Sequence, residues 1–179
     1  MIKMKNLKLT LGAFTVLVAS AFTVVQSTNW KLKEEAYSVT FKGGKVEGAI
    51  KGLKTDITFD ETKPENSKIT ATLDVSTINT GNGMMNKHAK SEDALDAKKF
   101  PSINFESVSV TGKDGSYIAN GKLTIKGITK EIKLPFTFEN KGSESLFKGK
   151  FNITPKDFNI NRGGTPETLE IEITAPVTK

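Results

Sequence analysis

Apolar and polar residues alternate along this chain in one segment after another beyond residue 36. In residues 128–139 the even positions are Ile, Lys, Ile, Leu, Phe and Phe, whereas the odd positions are Thr, Glu, Lys, Pro, Thr and Glu. Because successive side chains of a β-strand point to opposite faces, this pattern predicts a strand with one apolar and one polar face. The same alternation surrounds apolar residues elsewhere in the chain: Phe41, Ile50, Phe59, Leu73, Val75, Leu123, Phe151 and Ile171.

Turn signals separate about eight or nine such strands, among them Gly43-Gly44, Asp114-Gly115 and Lys126-Gly127. Short turns between amphipathic strands favour an antiparallel meander. Strands that are half apolar must either close into a barrel or stack as a sandwich, and closure also removes the exposed sheet edges. We therefore predict an all-β fold, a single antiparallel β-barrel of about eight strands, with the sandwich as the alternative.

One strand carries an irregularity that is visible in its pattern. In residues 102–110 the apolar set shifts from Ile103 and Phe105 to Val108 and Val110, which is a change of parity. An extra residue in one strand of a pair has this effect, so a β-bulge is predicted near Glu106 or Ser107.

The apolar faces are expected to point into the barrel. A membrane barrel turns them toward lipid and needs girdles of Trp and Tyr at both interfaces, and one Trp and two Tyr cannot form two girdles. A barrel of about eight strands is either filled by its side chains or just wide enough for one slender ligand. The alternation leaves both interiors open, because a packed core and an apolar pocket use the same residues.

The first 27 residues are predicted to be a secretory signal and residues 28–179 the barrel domain. Lys3, Lys5 and Lys8 precede an uncharged apolar run that ends near Ala19–Ala21, a small-x-small pattern typical of a cleavage site. Cleavage is expected after Ala21 or Ser27, and a retained membrane anchor is the alternative. A periplasmic or secreted location follows from this interpretation. The chain has no cysteine, so neither a lipid anchor on cysteine nor a disulfide is available.

The charge distribution argues against a nucleic-acid partner. The formal net charge of +6 falls to +3 when the three lysines of the signal leave, because that segment holds no acidic residue. Lysines alternate with acidic residues, and Arg162 is the one arginine. A nucleic-acid surface needs clustered Arg and Lys, so none is expected.

Motifs for catalysis and metal binding are absent from the sequence. A Ser-His-Asp system would have to use His88, the one histidine, and the absence of cysteine excludes a thiol nucleophile. His88 has no second His or Cys for a metal site, and its acidic neighbours have the spacing of a solvated helix. We therefore expect a protein that is not an enzyme, with no catalytic residue, metal or cofactor. An enzyme that uses His88 is a third interpretation, beside the ligand-binding barrel and the filled barrel.

Residues 79–101 interrupt the strands and are predicted to form a short helical lid. Ser91 can cap a helix whose first turn holds acidic residues, and Phe100-Pro101 would end it. Apolar residues give this polar segment a sparse apolar side suited to irregular apolar shapes: Met84, Met85, Leu95 and Phe100.

An ordered set of motifs resembles the YceI-like family of exported, lipocalin-like polyisoprenoid-binding proteins. No single motif is specific, but together they span nearly the whole predicted domain. They are SVTF (38–41), VEGAIKGL (46–53), ITFD (57–60), DVSTINTGN (74–82), HAKSEDALDAKKFPSINFES (88–107), GKLTIKGITKEIKLPFTF (121–138), FKGKFNITPKDFNI (147–160) and LEIEI (169–173).

The resemblance implies an apolar tunnel that holds a long isoprenoid chain, such as a polyprenyl lipid or a quinone, for storage or transport. The chain departs from the family pattern at Ala94-Leu95, where two aromatic residues are usual, and at Pro155, where Arg is common. The loss of that Arg makes a quinone, a carotenoid-like lipid or a fatty acyl chain as acceptable as a prenyl phosphate. The residues predicted to line the cavity are Phe41, Ile50, Phe59, Leu73, Val75, Met84, Met85, Leu95, Phe105, Leu123, Phe136, Phe138, Phe151 and Ile171.

The sequence therefore predicts a lipid binder, and a filled barrel that docks to another protein through residues 84–100 is the alternative. Transient membrane contact for loading and a homodimer are both compatible with this interpretation.

Overall fold

The computed structural model describes residues 28–179, so the predicted signal at 1–27 lies outside the described residues. This part of the chain holds ten strands and one α-helix. No helix among these residues is long and apolar enough to cross a membrane. The elements are β1 (Thr28–Leu32), β2 (Ser38–Gly43), β3 (Val46–Ala49), β4 (Lys54–Phe59), β5 (Lys68–Asp74), α1 (Gly83–Ala89), β6 (Ser102–Lys113), β7 (Ser116–Ile125), β8 (Ile128–Lys141), β9 (Glu144–Ile153) and β10 (Leu169–Thr178).

The strands form a closed antiparallel barrel, which confirms the predicted fold class. Eight strands follow one another around the ring in the order β1, β4, β5, β6, β7, β8, β9 and β10, and Lys31 of β1 pairs with Thr178 of β10 to close it. Strands β2 and β3 form a hairpin. Both β1 and β2 pair with β10, so this hairpin continues the β1–β4 pair along the same part of the wall. Ten strand segments therefore occupy eight positions around the barrel.

Two short interruptions divide the long hairpin formed by β1 to β4 into these four segments. Residues 33–37 divide β1 from β2, and residues 50–53 divide β3 from β4. The chain stays attached across the gap, because the Ile50 amide donates to the Val39 carbonyl at 3.0 Å and the Leu53 amide donates to the Tyr37 hydroxyl at 3.1 Å. The wall bends here without opening.

The alternation read from the sequence matches the side-chain directions of the strands. In β8 Phe136 and Phe138 are buried while Thr137 between them is exposed. The predicted bulge is confirmed, because the β6–β7 register shifts between Ser107 and Ser109. Val108 points outward there and is 70% exposed.

Aromatic side chains fill one end of the barrel. The ring of Phe59 lies 4.9–5.7 Å between centroids from those of Tyr117, Phe136, Phe138 and Phe147, mostly edge to face, which is the arrangement that aromatic quadrupoles favour. Trp30 joins this cluster and donates from its indole N–H to the Phe59 carbonyl at 3.2 Å. This end is closed by tightly packed side chains.

The helix lies earlier in the chain than predicted. The cap is Asn82, whose side-chain oxygen accepts from the amides of Met84 and Met85 at 2.9 and 3.1 Å, and the helix ends at Ala89. Ser91 begins no helix, and its hydroxyl lies within hydrogen-bond distance of both the His88 carbonyl and the Asp93 carboxylate, to which its single hydrogen can be donated in turn.

The acidic and basic residues at 92–99 belong to a run of turns instead of a helix. The carbonyl of Ser91 accepts from both Ala94 and Asp96 amides, and Asp96 has a φ of 48° in the left-handed region. A left-handed residue cannot continue a right-handed helix, so the chain folds back at this point.

Candidate ligand-binding cavity

Several apolar side chains that point into the barrel are only half-buried. Leu134 of β8, Phe151 of β9 and Ile171 of β10 belong to this group, although the outward positions beside them face water. They surround a cavity of about 470 Å³, which lies within the range of about 300–1,000 Å³ usual for ligand pockets. The side chains therefore fill only part of the barrel.

The cavity ends at the aromatic cluster and reaches the surface at the opposite end. Phe136 and Phe147 belong both to the cluster and to the cavity wall, with ring centroids 5.8 Å apart, so they form the floor. At the other end the wall includes the exposed Gly163 and Gly164. We call this end the mouth.

Strand topology decides which segments surround the mouth. In an antiparallel meander every second connection lies at the same end, so the β2–β3, β5–β6, β7–β8 and β9–β10 connections share the mouth. The long β5–β6 connection contains α1, and the β9–β10 connection spans residues 154–168. The remaining connections lie at the closed end.

The helix at the mouth is fixed to the barrel by amide side chains. Asn86 of α1 accepts from the amide and the hydroxyl of Thr80 at 2.7 and 2.8 Å. Asn79, the residue before Thr80, exchanges backbone hydrogen bonds with Ala49 of β3 at 2.8 and 2.9 Å. The start of the lid segment is therefore held against the wall.

The end of the lid segment packs on the β7–β8 turn. Gly127 has a φ of 74°, and a Cβ at this position would come within 2.6 Å of the Phe100 ring. Glycine permits both the left-handed backbone and the close approach. Phe100 is therefore an anchor of the lid and lies outside the cavity wall.

One ion pair joins the two long connections across the mouth. Arg162 of the β9–β10 connection donates to the carboxylate of Asp93 in the β5–β6 connection. The Ser91 hydroxyl, together with the Arg162 guanidinium, lowers the pKa of Asp93 from its ordinary value. The carboxylate is thus charged at neutral pH and available for the pair.

Ten of the fourteen residues predicted to line the tunnel lie on the cavity wall. Eight come from the strands and the bend after β3, and two come from the lid segment. They are Phe41, Ile50, Leu73, Met85, Leu95, Phe105, Leu123, Phe136, Phe151 and Ile171.

The other four lie elsewhere. Phe59 and Phe138 point inward but belong to the closed-end cluster, where they are 1% and 4% exposed. Val75 is fully buried in a 3-10 turn (Val75–Thr77), where its amide donates to the Pro101 carbonyl at 2.9 Å, and it is not part of the cavity wall. Met84 is 70% exposed on α1. Its neighbour Met85 is the methionine of this helix that faces the cavity.

Some wall residues were not predicted. Leu134 and Ile173 belong to the alternating pattern, which could have identified them. Residues 162–166 read Arg-Gly-Gly-Thr-Pro, which has no periodicity, so no sequence signal placed this loop at the mouth.

The described wall has little chemistry beyond apolar contact. His88 and Arg162 are its two basic residues, and both lie at the mouth. Thr55 contributes a hydroxyl oxygen that is buried and finds no hydrogen-bond partner among the described residues. Within residues 28–179 no group of three or more His, Asp or Glu side chains could hold a metal ion. This arrangement suits the retention of an apolar molecule.

Comparison with known proteins gives the family. Residues 30–177 match the model of the YceI-like domain. A UPF0312 protein of Pseudomonas putida (strain W619) is 30% identical over 160 residues, which cover 84% of this chain and 80% of that protein.

Two solved structures share the fold. BcnA of Burkholderia cenocepacia superposes with a TM-score of 0.78 at 25% identity, over 83% of this chain and 100% of that one. A polyisoprenoid binding domain from Saccharophagus degradans, implicated in plant cell wall breakdown, gives a TM-score of 0.68 over 83% of this chain and 97% of its own. Its identity is 11%, so that likeness concerns the fold alone. Because the matched region runs from β1 into β10, the chain belongs to the YceI-like domain family.

Proposed function

We propose that this protein binds a long apolar lipid of the isoprenoid type inside its barrel and holds it in an extracytoplasmic compartment for storage or transport. The observation that carries the proposal is the half-burial of inward-facing apolar residues around a cavity of about 470 Å³. Family membership and the fold shared with a polyisoprenoid binding domain support the class of ligand. The signal pattern of residues 1–27 supports the compartment.

Burial of hydrocarbon would drive binding. Each CH₂ group removed from water contributes about 0.8 kcal/mol, part of which is offset by the ordering of a flexible chain. The aromatic floor formed by Phe136 and Phe147 suits the apolar tail, and the two basic wall residues lie at the mouth. We therefore infer that the tail enters first and that a polar head group stays near His88 and Arg162.

This function requires no catalytic step and no cofactor. The alternative, a filled barrel that only docks a partner, requires side chains to occupy the whole interior. Here they occupy the closed end, while Leu134, Phe151 and Ile171 stay half-exposed to the cavity. The geometry therefore favours the lipid binder.

Native mass spectrometry of the mature protein, purified from the soluble extracytoplasmic fraction of its host, tests the proposal. We expect a discrete added mass that solvent extraction identifies as an isoprenoid lipid. Quinones, prenyl phosphates and fatty acids, added separately to delipidated protein, distinguish the head groups. A protein that keeps its bare mass after all three incubations would overturn the proposal.

A variant that fills the cavity tests where the lipid sits. Ala71 of β5 faces the cavity between Thr55 and Phe105, so Ala71→Trp should occupy the space and abolish lipid uptake. Thr70→Trp is the matched control and should keep uptake, because Thr70 alternates with Ala71 along β5 and is not part of the cavity wall. Equal uptake by both variants would place the lipid outside the cavity.

A further inference from the structure

The strand connections at the two ends of the barrel carry opposite net charge. The strand connections at the closed end hold one lysine and four acidic residues: Lys63, Asp60, Glu61, Glu65 and Asp114. The connections at the mouth hold eight basic and five acidic residues: Lys45, Lys87, Lys90, Lys98, Lys99, Lys126, Lys156 and Arg162 against Glu92, Asp93, Asp96, Asp157 and Glu167. Counted over these connections alone, the formal charge at neutral pH is +3 at the mouth and −3 at the closed end, where Lys113 and Lys141 end the adjoining strands.

The positive charge at the mouth is available to a partner. Arg162 is paired with Asp93, but none of the seven lysines forms an ion pair with another described residue. Lys87, Lys98 and Lys99 are exposed, and Lys99 lies over the ring of Phe100. Charges with this exposure attract an anionic surface over about one Debye length, roughly 10 Å at 0.1 M salt.

An apolar side chain stands among these lysines. Met84 is 70% exposed, whereas Met85 beside it faces the cavity. Met84, Lys87 and His88 share one face of α1 because residues three and four apart are neighbours on a helix, and all three are exposed. This face therefore combines basic groups with one flexible apolar tip.

We propose that the mouth docks on an anionic lipid bilayer through Met84 and the surrounding lysines. The docking itself is independent of the proposed function, but its purpose rests on that function. A lipid that passes from a bilayer directly into the cavity does not have to cross water. A membrane fits better than a protein partner, because protein interfaces have a larger apolar core and fewer lysines than this surface. It also fits better than nucleic acid, since the mouth has a single arginine, which is already paired.

The contact is expected to be weak and reversible. Each lysine near an anionic membrane adds a modest attraction, and salt screens this attraction. Cosedimentation of the mature protein with vesicles measures it. We expect binding to phosphatidylcholine vesicles that contain phosphatidylglycerol, weaker binding as the salt concentration rises, and little binding to phosphatidylcholine alone.

Two double variants with the same change in net charge locate the surface. Lys87→Glu with Lys98→Glu reverses two charges at the mouth and should lower vesicle binding by roughly tenfold or more. Lys63→Glu with Lys113→Glu reverses two exposed lysines at the closed end and should not lower it. Met84→Ser should weaken binding at constant salt without changing the charge. Circular dichroism confirms that each variant is folded.

Uptake of a fluorescent polyene from vesicle-free solution separates docking from the cavity. Loss of vesicle binding with normal uptake in the mouth double variant would support docking as a separate property. Vesicle binding by a wild-type protein that takes up no polyene would leave docking intact and refute the proposed function. No vesicle binding by the wild type, equal loss in both double variants, or binding insensitive to salt would overturn the docking proposal.

Discussion

Arg162 and Asp93 are 69 positions apart in the chain, yet their side chains form an ion pair across the mouth of the barrel. The pair joins the connection after β9 to the turns after α1. Both connections also contact the β7–β8 turn, where Phe100 packs on Gly127 and the Lys126 ammonium donates to the Asn159 carbonyl at 3.3 Å. The ion pair is therefore well placed to limit how far the mouth opens.

Asp93→Asn should accelerate lipid release. The amide keeps the shape of the carboxylate but loses the charge that attracts Arg162, so the mouth opens more readily. Stability should hardly change, because exposed ion pairs contribute little. Stopped-flow release of a fluorescent polyene measures the rate, and Asp157→Asn in the β9–β10 connection is the control. Release at the wild-type rate in both variants would mean that the pair does not restrict the mouth.

Phe59 and Phe151 should separate stability from lipid binding. Phe59→Ala removes a 1% exposed ring from the closed-end cluster and should lower the free energy of unfolding by about 3–5 kcal/mol with affinity retained. Phe151→Ala removes half-buried wall surface and should cost less stability but weaken lipid binding. Urea denaturation and lipid titration measure the two effects. Phe59→Leu replaces the alanine variant if that variant does not fold. Weakened lipid affinity in the folded Phe59 variant would contradict the separation of stability from lipid binding.

Thr55→Val should stabilise the protein. The Thr55 hydroxyl oxygen is buried without a partner among the described residues, and an unsatisfied buried hydroxyl costs folding free energy. Valine has nearly the same shape, so the gain should be roughly 1 kcal/mol. Thr55→Ser keeps the hydroxyl and should show no gain. A destabilised valine variant would indicate that a bound water satisfies the hydroxyl.

Stability should fall progressively when the pH drops below about 5. Hydrogen bonds from Thr62 lower the pKa of Asp60, and the ammonium groups of Lys148 and Lys141 lower that of Glu139. A carboxylate whose pKa is lower in the folded state stabilises the fold above its unfolded value of about 4, and this contribution is lost as the pH falls through the folded value.

Urea denaturation at a series of pH values tests this dependence. The free energy of unfolding should be nearly constant from pH 7 to about pH 5 and then decrease, by the linkage between protonation and folding. Asp60→Asn should be less stable than the wild type at pH 7 and should show a shallower decrease in acid. An unchanged slope would exclude Asp60 as a contributor.

The fold could be predicted from the sequence because each strand carries its own local signal. The alternation in β8 put Phe136 and Phe138 on the inner face, and the change of parity in β6 located the bulge. The height of a residue along the barrel axis has no such signal. Phe59 and Phe151 alternate alike, but the register places one in the closed-end cluster and the other on the cavity wall.

The lid was predicted less well because short helices depend on competing local contacts. Both Asn82 and Ser91 are good capping residues, and a helix of seven residues is too short for periodicity to decide between them. Contacts such as the one between Arg162 and Asp93 depend on two connections that the completed barrel brings together. No pattern within either connection indicates the other.

Ring closure by β1, β2 and β10 has a consequence for the order of folding. The pairs Lys31–Thr178 and Val39–Ile173 join positions more than 130 residues apart. A ribosome must synthesise nearly all of this domain before the two edges can meet, and a nascent chain that lacks β10 exposes both of them. Contacts this distant in sequence also slow folding, since a long loop must close before they form. The interval between synthesis and closure is therefore when this chain is most exposed to aggregation and has most need of a chaperone.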